Sequence, residues 1–504
     1  MRRSLWLVVI WMGCFAGPND AVSPSITTTA EETPVDEGVI PELPRVEAPW
    51  FEGLSQYPVL NRVQGNPVEK PGIILLMVDT LRADALGVYG QKAPTSPFLD
   101  QLSRNGVVFV NHVSNSTWTR TSVASLLTGK YPNQHGVLEL HLGLKRKQIT
   151  LAERLSAEGF ATATVLANPI VGGRYGLTQG YDFVAEPKTH FDNEHPNAKQ
   201  VFATAKSWLK KNGDDPFFLS LLLFDPHHPY TPAEDQKKRF CPDCDAEAIV
   251  HPQREYRGTQ PTVKQVADMK GLYHAEVRET DAAIARFFGW LDASGLSERV
   301  TTVLVADHGE AFGEHDVFEH AFHPWDEVAR TPMVLSGAGV STRGFVDAPT
   351  HHVDVMPTVL RLAGVDVPPE SVGTSLIQAP AEPNLDPNRV RISEVEMYGI
   401  HRYTVRHQGL KLVRHEPLNE ETFLKYYDAL DVYPSVARGA GRWELFDTKT
   451  DPGEHNNLAD PSIAQHPLTE ALNQYKSQQA PRTLQHGNPD AALLEDLKAI
   501  GYIE

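Results

Sequence analysis

The chain has 504 residues, 41% of them hydrophobic and 22% charged, enough to bury a large core in one to several domains. Its 64 acidic against 46 basic residues leave a formal charge of −18, a balance that excludes nucleic-acid binding through a broad basic face. An anionic substrate is not excluded, because a bound cation or a few Arg, Lys and His reverse the field locally.

The first element is Met1-Arg2-Arg3 followed by an apolar run from Leu5 to Met12 and then Gly13-Cys14. Two positive charges ahead of a short apolar core predict a secretory signal over residues 1–17 rather than a membrane span. Cys14 after Gly13 looks like a bacterial lipoprotein cleavage site. Export to the periplasm or the exterior is therefore expected, with a lipid on Cys14 as the only route to a membrane. Residues 18–70, rich in Pro, Thr, Glu and Val without periodicity, read as an extended tether.

From Gly72 the texture changes. Apolar runs at 73–78, 161–167, 217–224, 301–306 and 332–336 alternate with amphipathic stretches such as LAERLSAEG and the long segment 266–295. Continuous apolar runs separated by helices predict an α/β domain over 71–378, a large mostly parallel mixed sheet flanked by helices. Cys241 and Cys244 lie between these runs; with no second pair to complete a metal site, a local disulfide is expected. A Pro-rich stretch at 379–389 marks a boundary. The alternating, turn-punctuated segments 401–416 and 442–458 then predict a smaller antiparallel sheet within a C-terminal subdomain, 379–504.

In an open parallel sheet, function collects at the carboxyl ends of the strands. Asp79-Thr80 follow the first run, Asp225-Pro-His227-His228-Pro-Tyr230 the third, and Asp307-His308-Gly309-Glu310 the fourth. Asp79, Asp307 and His308 suit a hard-to-borderline divalent cation. The His-rich segment 313–327 follows directly, and spacing alone leaves both His320 and His323 open as additions to that pocket. A two-cation variant, with Asp225, His228 and His352 at the second site, is permitted by spacing but not demanded by it.

A hydroxyl-rich stretch, NSTWTRTSVASLLTG over 115–129, precedes a helix pattern. In order with it run IILLMVDTLRADALGVYG, FDPHHPYTP, VADHGEAFGEH, HVDVMPTVLRLAGV, WELFDTKTDPGEHNNLA and the terminal LKAIGYIE. Together these resemble the sulfatase family of the alkaline phosphatase superfamily over residues 72 to 504. The resemblance implies one divalent cation, usually calcium or magnesium, with manganese or zinc also within the donor chemistry. Asp79, Asp307 and His308 fall on metal-ligand positions, and Thr80 where many members carry a second Asp. His227 falls on the histidine that contacts the ester and protonates the leaving group. His320 aligns with a Lys or His position that binds the transferred anion.

The departure lies at the nucleophile. Sulfatases carry a Cys or Ser that is oxidised to formylglycine, followed by Pro and Arg. Counting back from Gly129 places Thr119 there, with Arg120 next. Ser116 with Arg120 is a rival register that breaks the distance to Gly129. Threonine is not a formylglycine precursor, but a metal-bound hydroxyl attacks directly. Arg120 is then expected to pair with substrate oxyanions in place of the motif Arg. The leading expectation is a metal-dependent hydrolase of sulfate or phosphate esters, acting on a small molecule or a glycan. The alternatives are a phosphodiesterase or phosphoethanolamine-type transferase, and a non-catalytic protein that holds anionic glycans. The transferases usually bring several membrane helices, absent after residue 17, and a binding module needs no metal tetrad.

Overall fold

The computed structural model describes residues 57–187, 195–244, 261–423 and 439–478. The expected signal, Cys14, most of the tether and the terminal LKAIGYIE lie outside the described residues. The main sheet comprises β1 (Gly72–Val78), β2 (Val107–Phe109), β3 (Ala161–Leu166), β4 (Phe183–Ala185), β5 (Phe217–Leu223), β6 (Val300–Ala306), β7 (Met333–Gly337) and β8 (Gly344–Val346), in spatial order 8-2-7-6-1-5-3-4. Only β7 runs against the others. All five predicted strands are present. The three additions are three-residue strands, too short to leave a pattern.

Every residue of β1, β5 and β6 is buried, as expected of strands covered on both faces. Alternation divides β1 between two hydrophobic cores: Ile73, Leu75 and Met77 face one, Ile74, Leu76 and Val78 the other. The amphipathic stretches form helices at Leu151–Ala157 and Val263–Ala293, the latter opened by a Thr262–Gln265 capping box. None of the helices among the described residues is long and apolar enough to cross a membrane. Cys241 and Cys244 are joined in a disulfide with Cα atoms 5.2 Å apart.

A four-stranded antiparallel sheet follows: β9 (Arg391–Met397), β10 (Ile400–His407), β11 (Leu410–His415) and β12 (Trp443–Asp447). Gln408 and Gly409, both at positive φ, make the tight β10–β11 turn. The helix Pro467–Ser477 packs its Leu468, Leu472 and Tyr475 on this sheet. Residues 57–70 correct the tether expectation. Val63 is fully buried, its N–H donates to Gln378 Oε1 at 3.0 Å, and Leu60 N–H donates to Phe345 O at 2.7 Å. Burial of one apolar residue and pairing to β8 hold this stretch against the sheet despite its Pro-rich, aperiodic sequence.

Candidate active site

Register places the site. Val78 pairs with Leu223 on one side and Ala306 on the other, so Asp79 and Asp307 leave the sheet side by side. Both are fully buried, as is His308. Thr80 N–H donates to Asp307 Oδ1 at 3.2 Å and His308 N–H to the same oxygen at 2.8 Å. Thr80 takes φ +52°, strained for a β-branched residue. It is held there because its carbonyl accepts from Tyr273 Oη at 2.9 Å.

The candidate nucleophile opens a helix, α1 (Thr119–Thr128), which begins on Thr119 and closes on Gly129 at φ +62°. A ten-residue helix fixes the spacing between them. Thr119 is not a cap: the cap position is Trp118, and no side chain bonds the first turn. Instead Thr119 Oγ1 lies 3.1 Å from His308 Nε2. The buried hydroxyl of Ser116, by contrast, has no hydrogen-bond partner among the described residues.

The residues present fit a divalent cation. Asp79 Oδ1, Asp307 Oδ2 and Thr80 Oγ1 are buried without a hydrogen-bond partner, an expensive arrangement unless something else satisfies them. Burial, with Asp307 alongside, pushes the Asp79 carboxyl well above its ordinary value; burial raises Asp307 too, opposed by His308. His308 Nδ1 donates to Gly309 O at 2.9 Å, leaving the Nε2 lone pair to face Asp307 Oδ2 at 3.4 Å and Asp79 Oδ1 at 3.9 Å. The ligand atoms of Asp79, Asp307 and His308 lie within 4.8 Å of one another.

Beside this cluster sits a second one. The His320 ring lies tilted against His308 with centroids 4.3 Å apart, and His227 meets His320 at 5.0 Å and His228 at 4.4 Å. His227 Nδ1 donates to His228 O at 2.6 Å, which puts the ring's lone pair on Nε2. Burial, then His228 and His320, lower the His227 pKa well below its ordinary value. Two residues that sequence reasoning gave no role organise the whole. Glu310 accepts from His320 Nδ1 at 2.9 Å and from Tyr230 Oη at 3.1 Å, with His228 Nδ1 3.9 Å away. Burial would raise Glu310, yet His320 and His228 hold it well below the usual carboxylate range. His320 itself is lowered to about 4 by burial, against the pull of Glu310. Asn168, directly after the β3 run, donates to Asp79 Oδ2 at 2.8 Å.

One expectation is corrected, and two arrangements that spacing left open are not adopted. Arg120 does not reach the site: Nε donates to Ile170 O at 2.7 Å, the guanidinium bonds the Leu140 and Leu142 carbonyls, and it lies 3.3 Å over the Tyr175 ring. Adjacent helix positions point about 100° apart, so the face that presents Thr119 turns Arg120 away. Arg120→Ala should therefore cost about 3 kcal/mol of folding stability in denaturant titrations, with KM unchanged; an oxyanion-binding Arg would show the reverse. His323 also faces elsewhere, onto a cavity of about 300 Å³ lined by His315, Trp325, Arg402 and His415. Asp225, His228 and His352 do not form a second cation site. Asp225 caps the helix at Ala198, His228 joins Glu310, and His352 bonds Ser122.

The carboxylates, imidazoles and a helix-start hydroxyl are gathered at the carboxyl edge of a mixed sheet, which defines an α/β enzyme of the alkaline phosphatase type. The chain belongs to the sulfatase family, whose profile matches residues 71–365, and members of that family are sulfuric ester hydrolases. A profile described as N-sulphoglucosamine sulphohydrolase, C-terminal, matches residues 313–480. An ulvan-active sulfatase of Formosa agariphila is 29% identical over 350 residues, 64% of this chain and 67% of that protein. A multifunctional alkaline phosphatase superfamily protein of Trinickia caryophylli is 24% identical over 486 residues, 78% of this chain and 92% of that one. Among solved structures, a protein in complex with its substrate D-glucosamine-2-N,6-O-disulfate superposes with a TM-score of 0.64 at 19% identity, covering 82% of this chain and 98% of its own.

Proposed function

We propose that the protein hydrolyses a sulfate ester of a small molecule or glycan, with Thr119 as nucleophile. The observation that carries this reading is Thr119 Oγ1, 3.1 Å from His308 Nε2 and beside the unpartnered oxygens of Asp79 and Asp307. Asp79, Asp307 and His308, with the Thr119 hydroxyl, would hold a divalent cation. When bound, that cation supplies a lowered pKa for the hydroxyl and charge to offset the transferred group's oxygens.

The chain's own residues do the rest. Thr119 Oγ, as the alkoxide, bonds to sulfur while the bond from sulfur to the leaving oxygen breaks. His227, neutral with its hydrogen on Nδ1, takes at Nε2 the proton that Thr119 Oγ gives up and passes it to that oxygen. His320, held by Glu310, faces the oxygens of the transferred group. Water then attacks sulfur, His227 takes its proton, and Thr119 is released with sulfate as product.

A second reading, hydrolysis of a phosphate ester, is favoured by one feature. Thr119 has a single hydroxyl, whereas the hydrated formylglycine of other sulfatases carries two, so one expels the sulfate without water attacking sulfur. A screen of aryl sulfate, phosphomonoester, phosphodiester and phosphonate, each with calcium, magnesium, manganese or zinc, separates the two. Turnover of the sulfate is expected, falling about 100-fold or more on chelation and returning with one of the four cations. Preference for a phosphorus ester would move the assignment to the second reading, and turnover indifferent to chelation would remove the cation. We also propose export to the periplasm or the exterior, which the Arg2-Arg3 pair, the apolar run Leu5 to Met12 and Gly13-Cys14 support. A mature N-terminus at a lipidated Cys14, seen by mass spectrometry of the native protein, is the expected result.

A further inference from the structure

A buried polar chain that the proposed chemistry does not use converges on the peptide just before His308. Ser122, one turn after Thr119 on α1, donates its hydroxyl to the Asp307 carbonyl at 2.7 Å and lies 2.9 Å from His352 Nδ1. Ser114 donates to the Ser116 carbonyl and lies 3.2 Å from the same ring nitrogen. Thr331 Oγ1 is 3.4 Å from His352 Nε2. All four side chains are at most 1% exposed.

Both serines meet the ring at Nδ1 and Thr331 meets it at Nε2, while the Ala306 carbonyl accepts from the ring as well. Burial holds the His352 pKa at about 3, so the ring stays neutral. A fully satisfied buried chain of this kind is rigid, because breaking any link strands a polar group away from water.

We propose that Ser122 and His352 are positioning residues that lock the helix carrying Thr119 to the strand end carrying Asp307 and His308, and so set the Thr119–His308 distance. The link is direct: Ser122 shares a helical turn with Thr119, and its bond ends on the carbonyl of a metal-ligand residue. Displacing a reacting group by about 1 Å costs on the order of 100-fold in rate. This inference rests on Thr119 being the nucleophile.

The test uses the full-length protein assayed with its activating cation. Ser122→Ala should lower kcat by about 10- to 100-fold with KM close to wild type. His352→Asn, which offers an N–H where Nδ1 stood, should keep most of kcat; His352→Gln, which offers its amide at the Nε2 position, should fall like Ser122→Ala. Wild-type kcat in Ser122→Ala, or equal losses in the Asn and Gln variants tracking a common drop in melting temperature, would overturn the proposal. The Asn/Gln pair decides the matter without Ser122→Ala, should that variant not fold. Thr119→Ala assayed alongside separates the two claims. If it is inactive while Ser122→Ala is normal, only the positioning role fails; if it is active, the nucleophile itself is wrong.

Discussion

Thr119→Ala should lower kcat by about 10⁴-fold or more on any ester the enzyme turns over, the scale of removing a nucleophile from an otherwise intact site. The fold should not suffer. The substitution removes one hydroxyl and one methyl from the first turn of α1, where no side-chain cap is lost, and alanine is the best helix former. The unpartnered oxygens of Asp79 and Asp307 remain, so cation binding should persist, somewhat weakened by the loss of one oxygen donor. Thr119→Ser should keep part of the rate, since the hydroxyl survives with a freer χ1. Near-normal turnover by Thr119→Ala would end the assignment. A tryptic peptide spanning residues 105–120 that carries an aldehyde at Ser116 would move the nucleophile to that residue.

Glu310→Gln is expected to have the next largest effect, about 100-fold in kcat/KM. The change is nearly isosteric but removes the charge that three buried side chains share. His320 loses a charge-assisted bond of 2.9 Å, Tyr230 one of 3.1 Å, and His228 its nearby anion. His320 then has no fixed orientation toward the transferred group. Tyr230→Phe, which removes one donor and leaves the carboxylate, should cost much less. A Glu310→Gln enzyme with a lowered melting temperature but unchanged kcat/KM would show that Glu310 serves packing alone.

The strand-end rule made much of this site legible. Apolar runs buried on both faces have one reading, and the polar residue after each run must surface at the same edge when the strands are parallel and in register. That logic reached Asp79, His227, Asp307 and His308. Applied to the run ending at Ala167, it would also have reached Asn168, whose amide holds Asp79. Glu310 was visible after the fourth run, but its partners come from residues 228, 230 and 320, and one sequence cannot show that they meet. Arg120 failed for a related reason, since spacing locates a residue on the helix without saying which face looks at the site. Spacing alone left His320 and His323 equal because they share an irregular loop. Ala321 between them takes φ +73°, and the chain reverses there, sending one ring to the site and the other to a different cavity.

A threonine nucleophile is finished when the ribosome releases the chain. Relatives that depend on formylglycine wait for a separate maturation enzyme to oxidise a cysteine or serine, and an expression host lacking that enzyme makes them inert. On the proposed reading, with Thr119 at the start of α1 as nucleophile, the reactive group is encoded outright, so any host that folds the protein and provides the cation should yield active enzyme. The yield of activity per milligram would then report folding and metal loading, with no unconverted fraction to subtract.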